Sequence, residues 1–188
     1  MSDLSQALSA LTGVTYAQTF VNDLDAADSD GISGHSVAVA VLGGDDDEIA
    51  RTIRAYVVPG IGTYGNTTVE TEIEGFCRSV RIIRPEVIPI ELEVDVIARP
   101  DRNGCPPPAA PVIAAGIAQG MTGSERPRNG QDVTEFLVRR IVESRYPMLE
   151  VQEVRAGVIP ATPTLVPLAI SFFQIMQISV DKITVSVA

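Results

Sequence analysis

The segment Val87–Ala98, VIPIELEVDVIA, constrains this chain more than any other stretch. Ile90, Leu92, Val94 and Val96 alternate with Glu91, Glu93 and Asp95. Side chains of a strand point to opposite faces in turn, so this pattern predicts a long strand with its apolar face in a core and its acidic face in water. Pro89 has no backbone N–H to give to a ladder, which places the start of the strand at a sheet edge or an irregularity.

A second strand is predicted over His35–Leu42, HSVAVAVL, with Val37, Val39 and Val41 on one face and alanines on the other. Both faces can be covered, as in an inner strand. Gly43-Gly44 stops it. From Asp45 to about Val57, the positions Ile49, Ile53 and Tyr56/Val57 share one helical face, and Pro59-Gly60 forbids continuation. Thr67–Glu74 and Ser79–Ile83 alternate around Gly75 as a hairpin. Toward the N-terminus, Ser5–Leu11 spaces leucines as a short helix, and Val14–Val21 follows as a strand.

RPDRNGCPPPAAP, Arg99–Pro111, is too rich in proline for regular structure and is the expected domain boundary. It divides an acidic N-terminal α/β domain, 1–99, from a C-terminal α/β domain, 100–188. Beyond it, Val112–Met121 is an alanine- and glycine-rich apolar segment expected to make a poor helix. Asp132 with Glu135 forms a capping pattern for a helix reaching about Tyr146. In that helix Val133, Phe136/Leu137, Arg140/Ile141 and Ser144 share a phase, with Arg139 and Glu143 outward. Leu149–Val154 and Val158-Ile159 read as extended, ATPTLVP as a turn-rich loop, and Ala169–Val180 as short or bent strands. Within the last of these, SFFQIMQIS suits a domain core or, in part, a subunit interface. Lys182–Val187, KITVSV, closes the chain as a strand. The expected class is α+β: small mixed α/β domains with sheets packed by short helices. A helix–turn–strand unit occurs twice, in ALSALTGVTYAQTFV and RRIVESRYPMLEVQEV.

Composition narrows function. The 188 residues are 45% apolar and carry a formal charge of −10. Residues 1–50 hold nine acidic side chains and no Lys or Arg, so nearly all the net charge lies there. Nucleic-acid binding needs clustered cations facing the phosphates, and no basic platform interleaved with aromatics is present. No apolar run reaches the roughly 18 residues of a membrane helix. MSDLSQALSA lacks the basic region and apolar core of a secretory signal, so ordinary export is not expected. Cys77 and Cys105, with a single histidine, cannot supply an all-Cys/His zinc site of four ligands, and both are expected as buried or half-buried thiols.

The candidate chemistry resolves into local structure. Asp45-Asp46-Asp47-Glu48 occupies a first helical turn, where carboxylates complement free backbone N–H groups, and Asp47 lies one turn before Arg51. Asp23, Asp25, Asp28 and Asp30 alternate as in a calcium loop, but position 34 is Gly where the closing Glu belongs. GIGTYG has no Lys after its last glycine and follows a helix instead of opening one, so it is no phosphate loop. His35 and Ser36 are neighbours at a strand start, where side chains diverge. No catalytic, cofactor or metal residue is assigned, no cofactor is expected, and the chain is not read as an enzyme.

The ordered set GISGHSVAVAVLGGDDDEIARTIRAYVVPGIGTYGNT (Gly31–Thr67), IIRPEVIPIELEVDV (Ile82–Val96), GQDVTEFLVRRIVESRYPMLEVQEV (Gly130–Val154) and the final KITVSV resembles the baseplate J-like family of contractile-tailed phages and phage-derived tail particles. The resemblance runs over nearly the whole chain and is weakest across Arg99–Gly130. It implies a structural component of the tail baseplate wedge, without catalysis or an essential cofactor. The implied partners are other wedge and tail proteins and further copies of the chain, dimer contacts included, with neither nucleic acid nor membrane. The implied place is the virion tail baseplate, reached through the host cytoplasm during assembly. Members of that family are commonly longer, so the resemblance implies their central and C-terminal parts, whether as a fragment, a split version or a short homologue. Two other readings remain open on the residues alone. One is a small module binding a cation through Asp23–Asp30 or an anion through Gly60–Gly65; the other is a hydrolase using His35.

Overall fold

The computed structural model describes residues 2–58, 60–73, 75–99, 106–123 and 126–188. Its architecture is a small mixed α/β one, with short helices packed on sheets of two to five strands. Contacts divide the chain into two compact units, Met1–Glu86 and Val87–Ala188.

In the first unit α1 (Ser2–Ser9) leads through a turn at Gly13 into β1 (Val14–Asn22). β1 pairs antiparallel with β2 (Ser36–Gly43) from Val14↔Gly43 to Asn22↔Ser36. β2 is an inner strand, as its two apolar faces predict: every residue from Ser36 to Val41 is buried. α2 (Asp46–Tyr56) follows, and β3 (Gly62–Tyr64) then pairs parallel with the start of β2. That short strand lies inside the stretch expected to be only a bend. β4 (Thr67–Ile73) and β5 (Phe76–Ile82) form the expected hairpin, turning at Gly75 with φ +79°. Past the hairpin, Ile83 joins β2 as well: its N–H donates to the Val39 carbonyl at 2.8 Å, and its carbonyl accepts from Val41 N–H at 3.0 Å. Leu4 and Leu8 of α1, Ile49 and Ile53 of α2, Val37, Val39 and Val41 of β2, and Val69, Val80 and Ile82 of the hairpin make one core.

The second unit begins one residue into β6 (Glu86–Ala98), whose Ile90, Leu92, Val94 and Val96 are fully buried while Glu91, Glu93 and Asp95 stay half-exposed. β6 lies inside a five-stranded sheet of order β10-β6-β7-β8, with β9 also paired to β6. The other members are β7 (Leu149–Val158), β8 (Thr164–Leu165), β9 (Gln174–Gln177) and β10 (Ile183–Val187). The β6–β7 ladder starts at Ile90↔Val158, one residue past Pro89, so the proline sits where its missing N–H is not needed by that partner. β10 runs parallel to β6 from Ile183↔Leu92 to Val187↔Val96. On the acidic face Arg155 of β7 reaches Glu93 and Asp95 of β6, each at 3.6 Å, and also pairs with Glu153. The apolar face is covered by α3 (Ala110–Thr122) and α4 (Glu135–Arg145), whose Ile113, Ile117, Leu137, Val138, Ile141 and Val142 complete the core.

These pairings set the division between units. The expected boundary is the proline-rich segment after Arg99, but among the described residues β6 finds its strand partners in later sequence, and the contacts part between Glu86 and Val87. Of the proline-rich segment, residues 100–105, Cys105 among them, lie outside the described residues, as does Pro59. The remainder, 106–109, leads into α3 within the same unit.

Three local expectations are corrected. Val112–Met121 belongs to a regular helix, because Gly116 and Gly120 let it approach α4 closely: a Cβ on Gly120 would lie 2.5 Å from Ile141 Cγ2. The cap of α4 is Thr134, whose hydroxyl accepts from Leu137 N–H at 3.2 Å; Asp132 instead accepts from Ile170 N–H at 2.9 Å. The buried stripe of α4 runs through Leu137, Val138, Ile141 and Val142, leaving Phe136 73% exposed. The two helix–turn–strand pairs, α1–β1 and α4–β7, serve different sheets: β1 ends a three-stranded one, and β7 is internal to the five-stranded one.

Candidate functional site

The acidic run is a helix start, built as its spacing predicts. Asp45 has extended backbone, φ −85° and ψ 132°, and its Oδ1 accepts from Asp47 N–H at 3.0 Å and Glu48 N–H at 3.1 Å. Asp47 pairs with Arg51 at 2.8 Å and accepts from the buried Thr71 hydroxyl of β4 at 2.5 Å. Asp46 pairs with Arg84, a side chain only 25% exposed. Arg84 Nη1 also donates to the carbonyls of Val41 at 3.1 Å and Gly43 at 2.6 Å, and Nη2 to that of Gly44 at 3.4 Å. The backbone of Arg84 is held in turn by Asn66: Arg84 N–H donates to Asn66 Oδ1 at 2.9 Å, and Asn66 Nδ2 to the Arg84 carbonyl at 3.1 Å. One guanidinium thus ties the end of β2, the start of α2 and the exit of the hairpin. Gly43 and Gly44, at φ +73° and +74°, supply the left-handed backbone that aims those carbonyls at it. The role of Arg84 carries no local sequence signal, because its partners lie about forty residues earlier.

The Asn22–His35 loop is organised by its own polar groups. Asn22, 3% exposed, donates through Nδ2 to the carbonyls of Ala26 at 2.8 Å and Ile32 at 2.7 Å, and accepts from Leu24 N–H at 3.0 Å. Asp28 Oδ1 accepts from the N–H groups of Asp30 and Ile32. Asp25 is fully exposed and meets His35 Nε2 at 2.8 Å. These carboxylates bind their own loop and do not converge: among the described residues no group of three or more His, Cys, Asp or Glu is placed to hold a metal ion. His35 has φ +51° and its ring faces Asp25, while Ser36 Oγ donates to the Gly34 carbonyl at 3.3 Å, so the two side chains are not paired.

In the glycine-rich stretch, Gly62 N–H donates to the His35 carbonyl and Thr63 Oγ1 accepts from Arg81 N–H at 2.9 Å, which makes it a lacing point between β2 and β5. Cys77, expected to be at least half-buried, is an exposed free thiol on β5. A residue next to a hairpin turn has one face in water whatever its polarity. Its hydrogen bond to Glu70 at 3.5 Å, some desolvation and the nearby Glu70 and Glu72 charges push the thiol pKa up.

A feature missed by sequence reasoning lies at the C-terminal end of α2. Tyr56 and Val57 were expected to share the buried stripe, but Val57 alone is buried; Tyr56 is 52% and Val58 60% exposed. With Leu4, Val37, Ile61 and the single charged residue Asp3 they line a mostly apolar groove of about 370 Å³. Two adjacent apolar residues at a helix end, where only one can face the core, were the available signal.

The second unit guards one strand edge. On the stretch of β7 beyond the reach of β8, Arg139 Nη2 donates to the Val151 carbonyl at 2.9 Å and Glu143 Oε1 accepts from Val151 N–H at 3.5 Å. Arg139 and Glu143, expected to point outward, therefore satisfy backbone groups that a further strand would otherwise pair.

No protein-family model matches the chain, and comparison with curated proteins finds no match. Among the described residues no helix is long and apolar enough to cross a membrane.

Proposed function

We propose that the chain is a structural component of a contractile-tail baseplate wedge, acting through protein–protein contacts. The observation that carries this reading is the rigid corner formed by the stretch most specific to the resemblance. β2, the Gly43-Gly44 turn, the capped start of α2 and the Arg84 clasp make one tied element whose charged groups are spent on holding backbone. Such a corner fixes the directions of several elements, which suits a part that must keep its shape under load. Several strands end their sheets among the described residues, β1 and β3 in the first unit and β10 and β8 in the second. Strand edges of this kind accept a neighbouring chain by backbone pairing.

The test is reconstitution with the tube, sheath and wedge proteins of a contractile tail, followed by light scattering and size exclusion. A stoichiometric complex, or stable association of copies, is the expected result. Neither self-association nor binding to any such partner would sink the proposal.

A further inference from the structure

The apolar groove beside α2 lies next to the most acidic segment of the chain, and the two together specify an occupant. Its floor is Leu4, Val37 and Val57, all buried, and its rim is Tyr56, Val58 and the half-buried Ile61. Val21 lies next to Val37 across the β1–β2 pair, on the same sheet face, and it is 45% exposed. Four neighbouring side chains with this much apolar area in water are more than scattered surface residues need explain.

The groove opens at the end of the sheet that carries the Asn22–His35 loop. Val37 is two residues past His35, and Ile61 adjoins Gly62, whose N–H donates to the His35 carbonyl at 3.2 Å. That loop presents Asp23, Asp25 and Asp30 exposed and Asp28 half-exposed, with His35 beside Asp25. Residues 1–50 contain no Lys or Arg to neutralise them. Contact between two copies here would bring two such acidic loops together, which Coulomb repulsion opposes. A free fatty or anionic amphiphile meets the same repulsion.

We propose that this groove docks a segment of a partner protein in which apolar side chains are followed by lysines or arginines. The apolar residues fill the space between Val37 and Val58, and the cations meet the Asp23–Asp30 loop. The inference deepens the assembly reading by naming the chemistry of a partner, and it rests on that reading only for the partner's being a protein.

The test uses the full chain and a fluorescent synthetic peptide carrying two leucines followed by several lysines. Amide shifts in the titration should gather at Val21, Val37, Tyr56, Val58, Ile61 and the Asp23–Asp30 loop. Tyr56→Ser with Val58→Ser removes exposed apolar area that binding would bury; the pair should weaken affinity about tenfold, the equivalent of roughly 1.4 kcal/mol. Asp23→Asn with Asp25→Asn should weaken it severalfold and flatten its salt dependence. Both positions are exposed, so the fold should survive, as circular dichroism would check. A peptide with glutamates in place of lysines should fail to bind. The proposal is overturned by absence of binding, by equal binding of the glutamate peptide, by shifts that gather elsewhere, or by indifference to the Tyr56/Val58 pair. It is also overturned if the unliganded chain is a dimer that the Tyr56/Val58 changes dissociate, since a second copy is then the occupant. Because no tail protein takes part, failure here leaves reconstitution to judge the baseplate reading separately.

Discussion

Replacing Arg84 by methionine tests whether one guanidinium holds the first unit together. Methionine keeps most of the aliphatic stem, so packing changes little while every polar contact is lost. The Val41 and Gly44 carbonyls bonded to Arg84 are part-buried, whereas that of Gly43 is in water's reach. Losing a charged donor at a part-buried carbonyl costs about 1 kcal/mol after water partly substitutes, and the half-exposed Asp46 pair adds roughly 0.5 kcal/mol. The expected loss is therefore about 2–3 kcal/mol. For a unit of this size a 1 kcal/mol change moves the midpoint by about 4–8 °C, so the melting transition should fall by roughly 8 °C or more. Arg84→Lys should recover only part of this, because an ammonium cannot reach three carbonyls and a carboxylate in one plane. The control is Arg51→Met, which removes an exposed pair one helical turn apart and should cost no more than about 0.5 kcal/mol. Thermal melts by circular dichroism give the midpoints, and hydrogen exchange shows whether the loss is centred on residues 39–50. Equal midpoints for Arg84→Met and Arg51→Met would refute the clasp. So would exchange that quickens only in the second unit.

Three further outcomes are expected. Asp45→Ala should lower stability by about 1 kcal/mol in urea denaturation while Asp45→Asn stays within a few tenths, since the amide oxygen still accepts from the helix N–H groups. Gly116→Ala places a methyl against the Tyr146 ring, whose Cε2 and Cζ would lie 3.0 and 3.1 Å away, and should destabilise the second unit by about 1–3 kcal/mol; the same change in a Tyr146→Ala background should cost markedly less. Cys77 should react slowly with iodoacetamide near pH 8 despite its exposure, because a raised pKa leaves little thiolate there; Glu70→Gln should quicken alkylation, followed by mass spectrometry, as it weakens the hydrogen bond and removes the charge that hold the proton on.

What was legible in the sequence was periodicity and punctuation. The alternation in Val87–Ala98, the two-faced apolar run of β2, the Gly43-Gly44 stop and the cap at Asp45 are all set by neighbours within a few residues. Where the deciding partner is distant, the reading shifts. The unit boundary moved because β6 pairs with strands at least fifty residues later, and no local composition records that. The cap of α4 moved by two residues because Asp132 is drawn off by Ile170, leaving Thr134 to serve the helix. Val112–Met121 looked like a poor helix because glycine weakens an isolated one. In the fold those glycines let α3 and α4 approach, and tertiary packing outweighs a propensity loss of about 1 kcal/mol each.

The acidic half of the chain shows the same separation at the level of function. Its nine carboxylates look alike in sequence but do different work. Asp45 caps a helix, Asp46 and Asp47 pair with Arg84 and Arg51, and Asp47 also receives the Thr71 hydroxyl. Asp46 and Asp47 each face an arginine. Among the described residues the Asp23–Asp30 carboxylates meet loop N–H groups and, at Asp25, the ring of His35. An uncompensated charge projects its field over a Debye length of about 8 Å at physiological salt, and a compensated one does not. The electrostatic identity of the first unit is therefore set less by the conspicuous Asp-Asp-Asp-Glu run than by the quieter loop. That loop also lies beside the apolar groove, so field and shape select the same partner.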